Sequence, residues 1–223
     1  YDYTFEYFNE IARFFTFPVS GLYLHCRSIR MPGSPIPQSG LLPCLEKFWG
    51  HYPFLSLAVL DEGAQTGVQK LGNGRPVVWM PDVTSVNLRK ANGDGIACKL
   101  KRYSIGQPIV LLPGHIQPTK GIELFRDVSD LMRGEEVCFG IIGDVGWGSF
   151  SPEFQNKLRK VAEQSSNVFT HFARVQDEDI NACIAESDVI FAAYKSFPNS
   201  SNILSKAALF QKPIIVSDGY LMA

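Results

Sequence analysis

Long apolar runs are missing from this sequence. Hydrophobic residues fill 45% of its 223 positions, but charge or proline interrupts each run after a few residues. No stretch therefore has the pattern of a membrane span or of a secretory leader. A surplus of one charge is missing too: 21 Lys and Arg face 22 Asp and Glu, leaving a net charge of −1. Nothing global draws such a chain to nucleic acid or to an acidic bilayer. Paired cysteine spacing is absent, since Cys26, Cys44, Cys98, Cys138 and Cys183 lie scattered. An odd, dispersed set argues against a disulfide framework or a zinc site and for buried reduced thiols in a cytoplasmic protein. The G-x-G-x-x-G dinucleotide fingerprint is also lacking. Gly143-Asp-Val-Gly-Trp-Gly148 carries its glycines in a different order, which excludes that signature of a nicotinamide cofactor.

What is present is a regular alternation of short buried strands and amphipathic helices. Phe5, Phe8, Ile11, Ala12 and Phe15 share a helical face, and Pro18 ends that helix. A strand over residues 21–26 carries His25 near its carboxyl end and is followed by Arg27, Arg30 and a Pro/Gly/Ser-rich loop. Residues 41–50 read as a helix, 55–60 as a buried strand, 64–71 as a short helix and 76–80 as a strand. From Thr84 to Gln107 the hydrophobic period dissolves, and Lys99, Lys101 and Arg102 read as a solvated face. We therefore expect a partial unit over 1–86, a linker over 87–106 and a second unit over 107–223. The chain opens at Tyr1, not at Met, and reads as a piece of a longer protein.

In the second unit, strands are expected at 108–112, 137–142, 167–172, 189–193 and 214–216. Helices fall between them, one with Leu124, Val128 and Leu131 inward and one capped by Ser151 with Phe154, Leu158, Val161 and Ala162 inward. This order implies a doubly wound parallel sheet. Two turns stand out. Pro113 to Gly121 joins a strand to a helix and carries His115 and Lys120. Ser196 to Gly219 holds a Pro/Asn/Ser turn, then a helix with Ile203, Leu204, Ala207 and Ala208 on one face, then the strand 214–216. Ser200 or Ser201 can cap that helix. Its free backbone N–H groups would suit an anion such as a phosphate, although an ordinary loop–helix–strand crossover has the same pattern. His25, at a strand end, reads on its own more readily as structural than as catalytic.

From Pro108 onward the sequence resembles the donor-binding domain of GT-B fold glycosyltransferases of the retaining group-1 (family 4-like) class. PGHIQPTKG resembles the G-R-x-x-x-x-K-G turn, and VCFGIIGDVG the strand ending in G-D/E-G. NVFTHFARVQDEDINACIAESDVIFAAY resembles N-V-x-F-x-G-x-V … L-x-x-x-Y-x-x-A-D-V, and SSNILSKAALFQKPIIVSD resembles the E-A-M-A-x-G-K-P-V-I-A-S segment. Before the boundary, LSLAVLDEGA and VVWMPDVTS resemble strands of the acceptor domain. The resemblance implies two Rossmann-like α/β units, the N-terminal one incomplete.

It further implies a hexosyltransferase acting from a UDP- or GDP-linked sugar onto a glycan, lipid or small-molecule acceptor. Neither a cofactor nor a metal is implied, and any membrane contact would be peripheral. His25 and Lys120 are the implied catalytic residues, with His25 reaching the donor sugar from the other domain. Gly114, His115, Lys120, Arg174, Val175, Asn199, Ser200, Ser201, Asn202, Ile203 and Lys206 are the implied donor contacts. The departures matter as much. His115 stands where the family has arginine, and Pro198 and Lys206 stand at the two acidic positions of E-x7-E. An ammonium donates hydrogen bonds and accepts none, so Lys206 excludes a carboxylate-type grip on ribose hydroxyls. These departures keep a second reading open: a catalytically inactive glycosyltransferase-like binding or regulatory protein.

Overall fold

The computed structural model describes residues 19–23, 54–60, 62–71, 76–81, 88, 90, 93–195, 197 and 201–218. The expected helices over 4–15 and 41–50, and the residues His25, Cys26, Cys44, Pro198, Asn199 and Ser200, lie outside them. The chain divides into two compact units, one of residues 1–82 with 198–200 and one of 83–197 with 201–223.

In the first unit, β1 (Val19–Tyr23), β2 (Phe54–Val59) and β3 (Val77–Trp79) form a parallel sheet in that order. Helix α1 (Glu62–Leu71) makes the crossover from β2 to β3. Leu57, Val59 and Val77 bury from the strands and Val68 from the helix. Gln65 Nε2 ties α1 to β3 by donating to the Val77 carbonyl at 2.8 Å.

The second unit contains α2 (Ile96–Ser104), β4 (Ile109–Pro113), α3 (Ile122–Leu131), β5 (Cys138–Ile142), α4 (Pro152–Gln164), β6 (Val168–His171), α5 (Asp177–Glu186), β7 (Val189–Ala192), α6 (Asn202–Leu209) and β8 (Ile214–Val216). Its five strands run parallel in the order β6-β5-β4-β7-β8. Alternating side chains feed two apolar layers, as the period of a strand requires. Ile109, Leu111, Cys138, Ile142 and Ile190 meet α2, α5 and α6 through Leu100, Cys183, Ile184 and Ala207. Leu112, Phe139, Ile141 and Phe191 meet α3 and α4 through Phe125, Phe154 and Leu158 on the other face. The sheet is doubly wound, and its switch point lies between β4 and β7.

Several expectations need correction. The expected linker 87–106 contains a helix, α2, whose Ala97, Leu100 and Ser104 are buried. It packs beside α5, and Tyr103 Oη donates to the Ser165 carbonyl at 3.0 Å. Lys99, Lys101 and Arg102 do lie on a solvated face, where Lys101 pairs with Glu186 and Arg102 with Asp94. In α3 the fully buried residues are Ile122, Phe125 and Ser129, and the expected Val128 packs, partly buried, against the same core. Leu124 is 51% and Leu131 85% exposed. Gly121, with a φ of 72°, is the N-cap of this helix, and its turn presses against the Ala193 carbonyl. A Cβ at Gly121 would overlap that carbonyl oxygen. In α4, Ser151 caps as expected by accepting from the Phe154 N–H, but Ala162 is exposed. In α6 the buried set is Ile203, Lys206 and Ala207, with Ala208 exposed. Strand β8 pairs with β7 and leaves Ile215 exposed, so it is not covered on both faces. Of the cysteines described, Cys138 and Cys183 are buried free thiols, which burial pushes up to about 11 and about 12. Half-buried Cys98 donates to the Gly93 carbonyl.

The choice of α3 face is testable. Phe125 makes edge-to-face contacts with Phe139 and Phe191 at 5.4 and 5.0 Å between ring centroids. Replacing Phe125 with Ala should lower the unfolding free energy by about 3–5 kcal/mol. Replacing Leu131 with Ala should change it by less than about 0.5 kcal/mol. Urea titration of the two variants separates the expected face from the observed one.

Candidate functional site

Three turns meet at the carboxyl ends of β4, β5 and β6, where parallel sheets of this kind gather ligands. Backbone hydrogen bonds bind the turns together. Gly114 N–H donates to the Ile142 carbonyl, Ile116 N–H to that of Asp144, and Gly143 N–H to that of His171, at 2.9, 2.7 and 2.9 Å. Gly143 has a φ of 147°, and a Cβ there would overlap the Gly114 carbonyl oxygen. Only glycine lets the β4 and β5 turns approach so closely.

Above these turns opens a cavity of about 350 Å³. Its walls come from the β4 and β5 turns, the loop after β6, and the amino-terminal turns of α5 and α6. Three basic side chains line it: His115, Arg174 and Lys206. Two acids join them. Asp144 Oδ2 lies 3.4 Å from His115 Nδ1, and Asp177 Oδ1 lies 3.2 Å from Lys206 Nζ. Gly114, Val175, Asn202 and Ile203 complete the expected contacts found here. Ser201 stands at the N-cap of α6, but its hydroxyl does not cap the helix. That hydroxyl is buried and shares a hydrogen bond with Tyr194 Oη at 3.3 Å. The Asn202 and Ile203 amides, in the first turn, thus keep no intrahelical acceptor.

Lys120 sits apart from the cavity lining, at the switch point. The Gln117–Lys120 turn is closed by a backbone hydrogen bond of 2.9 Å, and Lys195 N–H holds it to β7 by donating to the Thr119 carbonyl. Lys120 Nζ lies 3.9 Å from the centroid of the Tyr194 ring and 4.7 Å from that of Phe197. No carboxylate pairs with it among the described residues. Burial pushes its ammonium down from 10.5 to about 8. The ring faces offer the cation some compensation, but a full anionic partner would offer more.

The structure thus brings Gly114, His115, Arg174, Val175, Asn202, Ile203 and Lys206 to one cavity, and places Lys120 and Ser201 beside Tyr194 at the switch point. His25, Asn199 and Ser200 lie outside the described residues. Asp144, Asp177, Gly143, Tyr194 and Phe197 belong to the site or its support without having been expected. Gly143 and Asp144 were visible inside the GDVG segment. For Asp177, a first-turn acid in α5, the sequence carried no signal beyond helix capping.

No family model matches the chain, and no curated protein does. Solved structures do. The chain is similar to HepE of Anabaena in complex with UDP and glucose, with a TM-score of 0.70 at 14% identity, over 99% of this chain and 58% of that one. It is similar to a sucrose-phosphate synthase from Thermosynechococcus elongatus, with a TM-score of 0.71 at 14% identity, over 99% and 55%. OtsA, a trehalose-6-phosphate synthase, matches with a TM-score of 0.65 at 11% identity, over 93% and 54%. The chain spans a little over half the length of each. These are GT-B glycosyltransferases, and the chain has their α/β fold with parallel sheets. No helix among the described residues is long and apolar enough to cross a membrane.

The environment of Lys120 predicts its titration. In the folded state its amine should lose its charge near pH 8, well before ordinary lysines. Because the unfolded chain keeps that proton up to about 10.5, the penalty of burying the charge should ease, and stability rise, between those two values. NMR of lysine side chains labelled with ¹³C reads this directly. A Lys120 midpoint near 10.5 would contradict the burial described here.

Proposed function

We propose that the second unit binds a nucleoside-diphosphate sugar and belongs to a glycosyltransferase that moves a hexose to a glycan, lipid or small-molecule acceptor. The observation that carries this reading is the half-buried Lys120 at the switch point, without a carboxylate partner among the described residues, on the sheet edge that also bears the cavity lined by His115, Arg174 and Lys206. The folds of HepE, crystallised with UDP and glucose, and of the two synthases support it. Breaking the bond between sugar and diphosphate leaves growing negative charge on the leaving phosphate. Fixed cations and oriented amides aimed at that charge lower the barrier. In our reading Lys120 supplies the positive charge, His115 a hydrogen-bond donor, and the Asn202 and Ile203 amides the dipoles. Val175 and Arg174 flank the nucleoside. His25 of the first unit is the proposed contact to the donor sugar, and 1–86, 87–106 and 107–223 are the proposed acceptor, connecting and donor segments.

Lys206 supports a second reading, a binding protein without turnover. It stands where the family resemblance expects an acid, and it is paired with Asp177. Hydrolysis of donor by the purified chain, followed as release of the nucleoside diphosphate, favours the first reading; tight binding without release favours the second.

Calorimetry with UDP and GDP should find one of them bound at millimolar concentration or below. Lys120→Met should weaken that binding at least about tenfold, or about 1.4 kcal/mol. Wild-type affinity should fall as pH rises through about 8, where the cation is lost, by up to about tenfold per unit. The Lys120→Met variant should lack this step. Failure of both nucleotides to bind would sink the proposal.

A further inference from the structure

Lys206 and Asp177 form an unequal ion pair. The Lys206 side chain is 7% exposed, while that of Asp177 is 83% exposed. The lysine is held by its place in α6, among Ile203, Ala207 and the apolar layer beneath. Asp177 opens α5 from the cavity rim and can turn into water by rotating its side chain. A buried ammonium without a partner is costly, so the pair is satisfied only while some acceptor stands at Nζ. The carboxylate is the replaceable member. Its loss to solvent costs little, because an exposed carboxylate is well hydrated.

What would replace it follows from the rest of the cavity. Arg174 lines the wall with no carboxylate partner among the described residues. His115 lines the same cavity, as does the first turn of α6 through Asn202 and Ile203. Every one of these groups favours a negative ligand. The two acids in the lining are each already engaged by a base, at the exposed margin. Lys206 Nζ offers donors only, so it selects for oxygens that accept.

We propose that Lys206 binds a phosphate-class anion and that Asp177 is its built-in, displaceable counter-ion. In the resting protein Asp177 neutralises the lysine. An entering phosphate oxygen takes the place of the carboxylate at Nζ, and Asp177 swings to solvent. Asp177 thereby weakens anion binding and raises its selectivity, since only a ligand that outcompetes a local carboxylate gains entry. The inference rests on the placement of a phosphate in this cavity made above, but not on sugar transfer.

The test uses the full chain and three probes: inorganic pyrophosphate, UDP and uridine. Lys206→Met keeps the length of the side chain and removes its charge; Asp177→Asn keeps the shape and removes the competitor. The expected result is that Lys206→Met weakens pyrophosphate and UDP at least about tenfold. Asp177→Asn should tighten both by roughly threefold to tenfold, an effect that shrinks with added salt. Uridine, which has no phosphate, should be indifferent to both changes. Circular dichroism of each variant shows whether it is folded, and Asp177→Asn, at an exposed position, tests the exchange even if Lys206→Met is unstable. Unchanged pyrophosphate affinity in Asp177→Asn would overturn the inference, as would a uridine-only effect of Lys206→Met. If wild type binds pyrophosphate with these shifts but neither UDP nor GDP, the exchange stands and the nucleotide-sugar proposal falls.

Discussion

The approach of Gly143 to the Gly114 carbonyl is the constraint on which the site is built. It lets the turns after β4 and β5 lie against each other, so that Ile116 and Val145 form a bridge and Gly146 N–H returns a hydrogen bond to Ile116. That zipper sets His115 next to Asp144 and gives the cavity a backbone floor. Gly121 performs the matching service at the switch point, where its turn presses on β7 and directs Lys120 toward Tyr194. Both glycines have positive φ, and both face a carbonyl oxygen where any side chain would collide. Shape at the carboxyl edge of the sheet is therefore fixed by backbone packing, before any ligand contributes.

On that frame the protein keeps a half-buried and a buried lysine by different means. Lys120 rests on aromatic faces, which attract a cation without neutralising it, and burial makes it hold its proton less tightly than an ordinary lysine. Lys206 has a carboxylate at hydrogen-bonding distance, but one anchored in solvent. Aromatic rings cannot leave and a carboxylate can, so the first arrangement leaves a standing demand for an anion and the second an exchangeable one. On the reading proposed above, both would favour an anion at the carboxyl edge of the sheet, in a chain whose net charge is only −1.

The alternation of strands and helices was legible because buried parallel strands are apolar runs, and Ser151-Pro152 announces a helix start in plain residues. Less legible was α2, whose buried Ala97 and Leu100 are interleaved with Lys99, Lys101 and Arg102. Its polar face dominates the composition, so the segment reads as a linker. In α3 two apolar stripes compete, Ile122/Phe125 and Leu124/Leu131, and the buried one packs against strand residues, Phe139 and Phe191, that lie far apart in sequence. Most of the residues expected as donor contacts do line one cavity, since turns at strand ends are legible as turns. What could not be read was pairing: that Ser201 would spend its hydroxyl on Tyr194, or that Lys206 would be buried against Asp177. A lysine in a helix is expected to be exposed, and its long apolar stem gives no hint of the reverse.

The central claim is that the carboxyl edge of the five-stranded sheet is where a nucleoside diphosphate sits. Backbone amide shift mapping during a UDP titration, with GDP in parallel, tests it most directly. The account predicts the largest perturbations at Gly114, Gly121, Gly143, Asn202 and Ile203, saturating together. It would be contradicted if those amides stayed still while the shifts clustered elsewhere, for instance along the groove of α3 and α4 lined by Arg126, Arg133, Lys157 and Lys160.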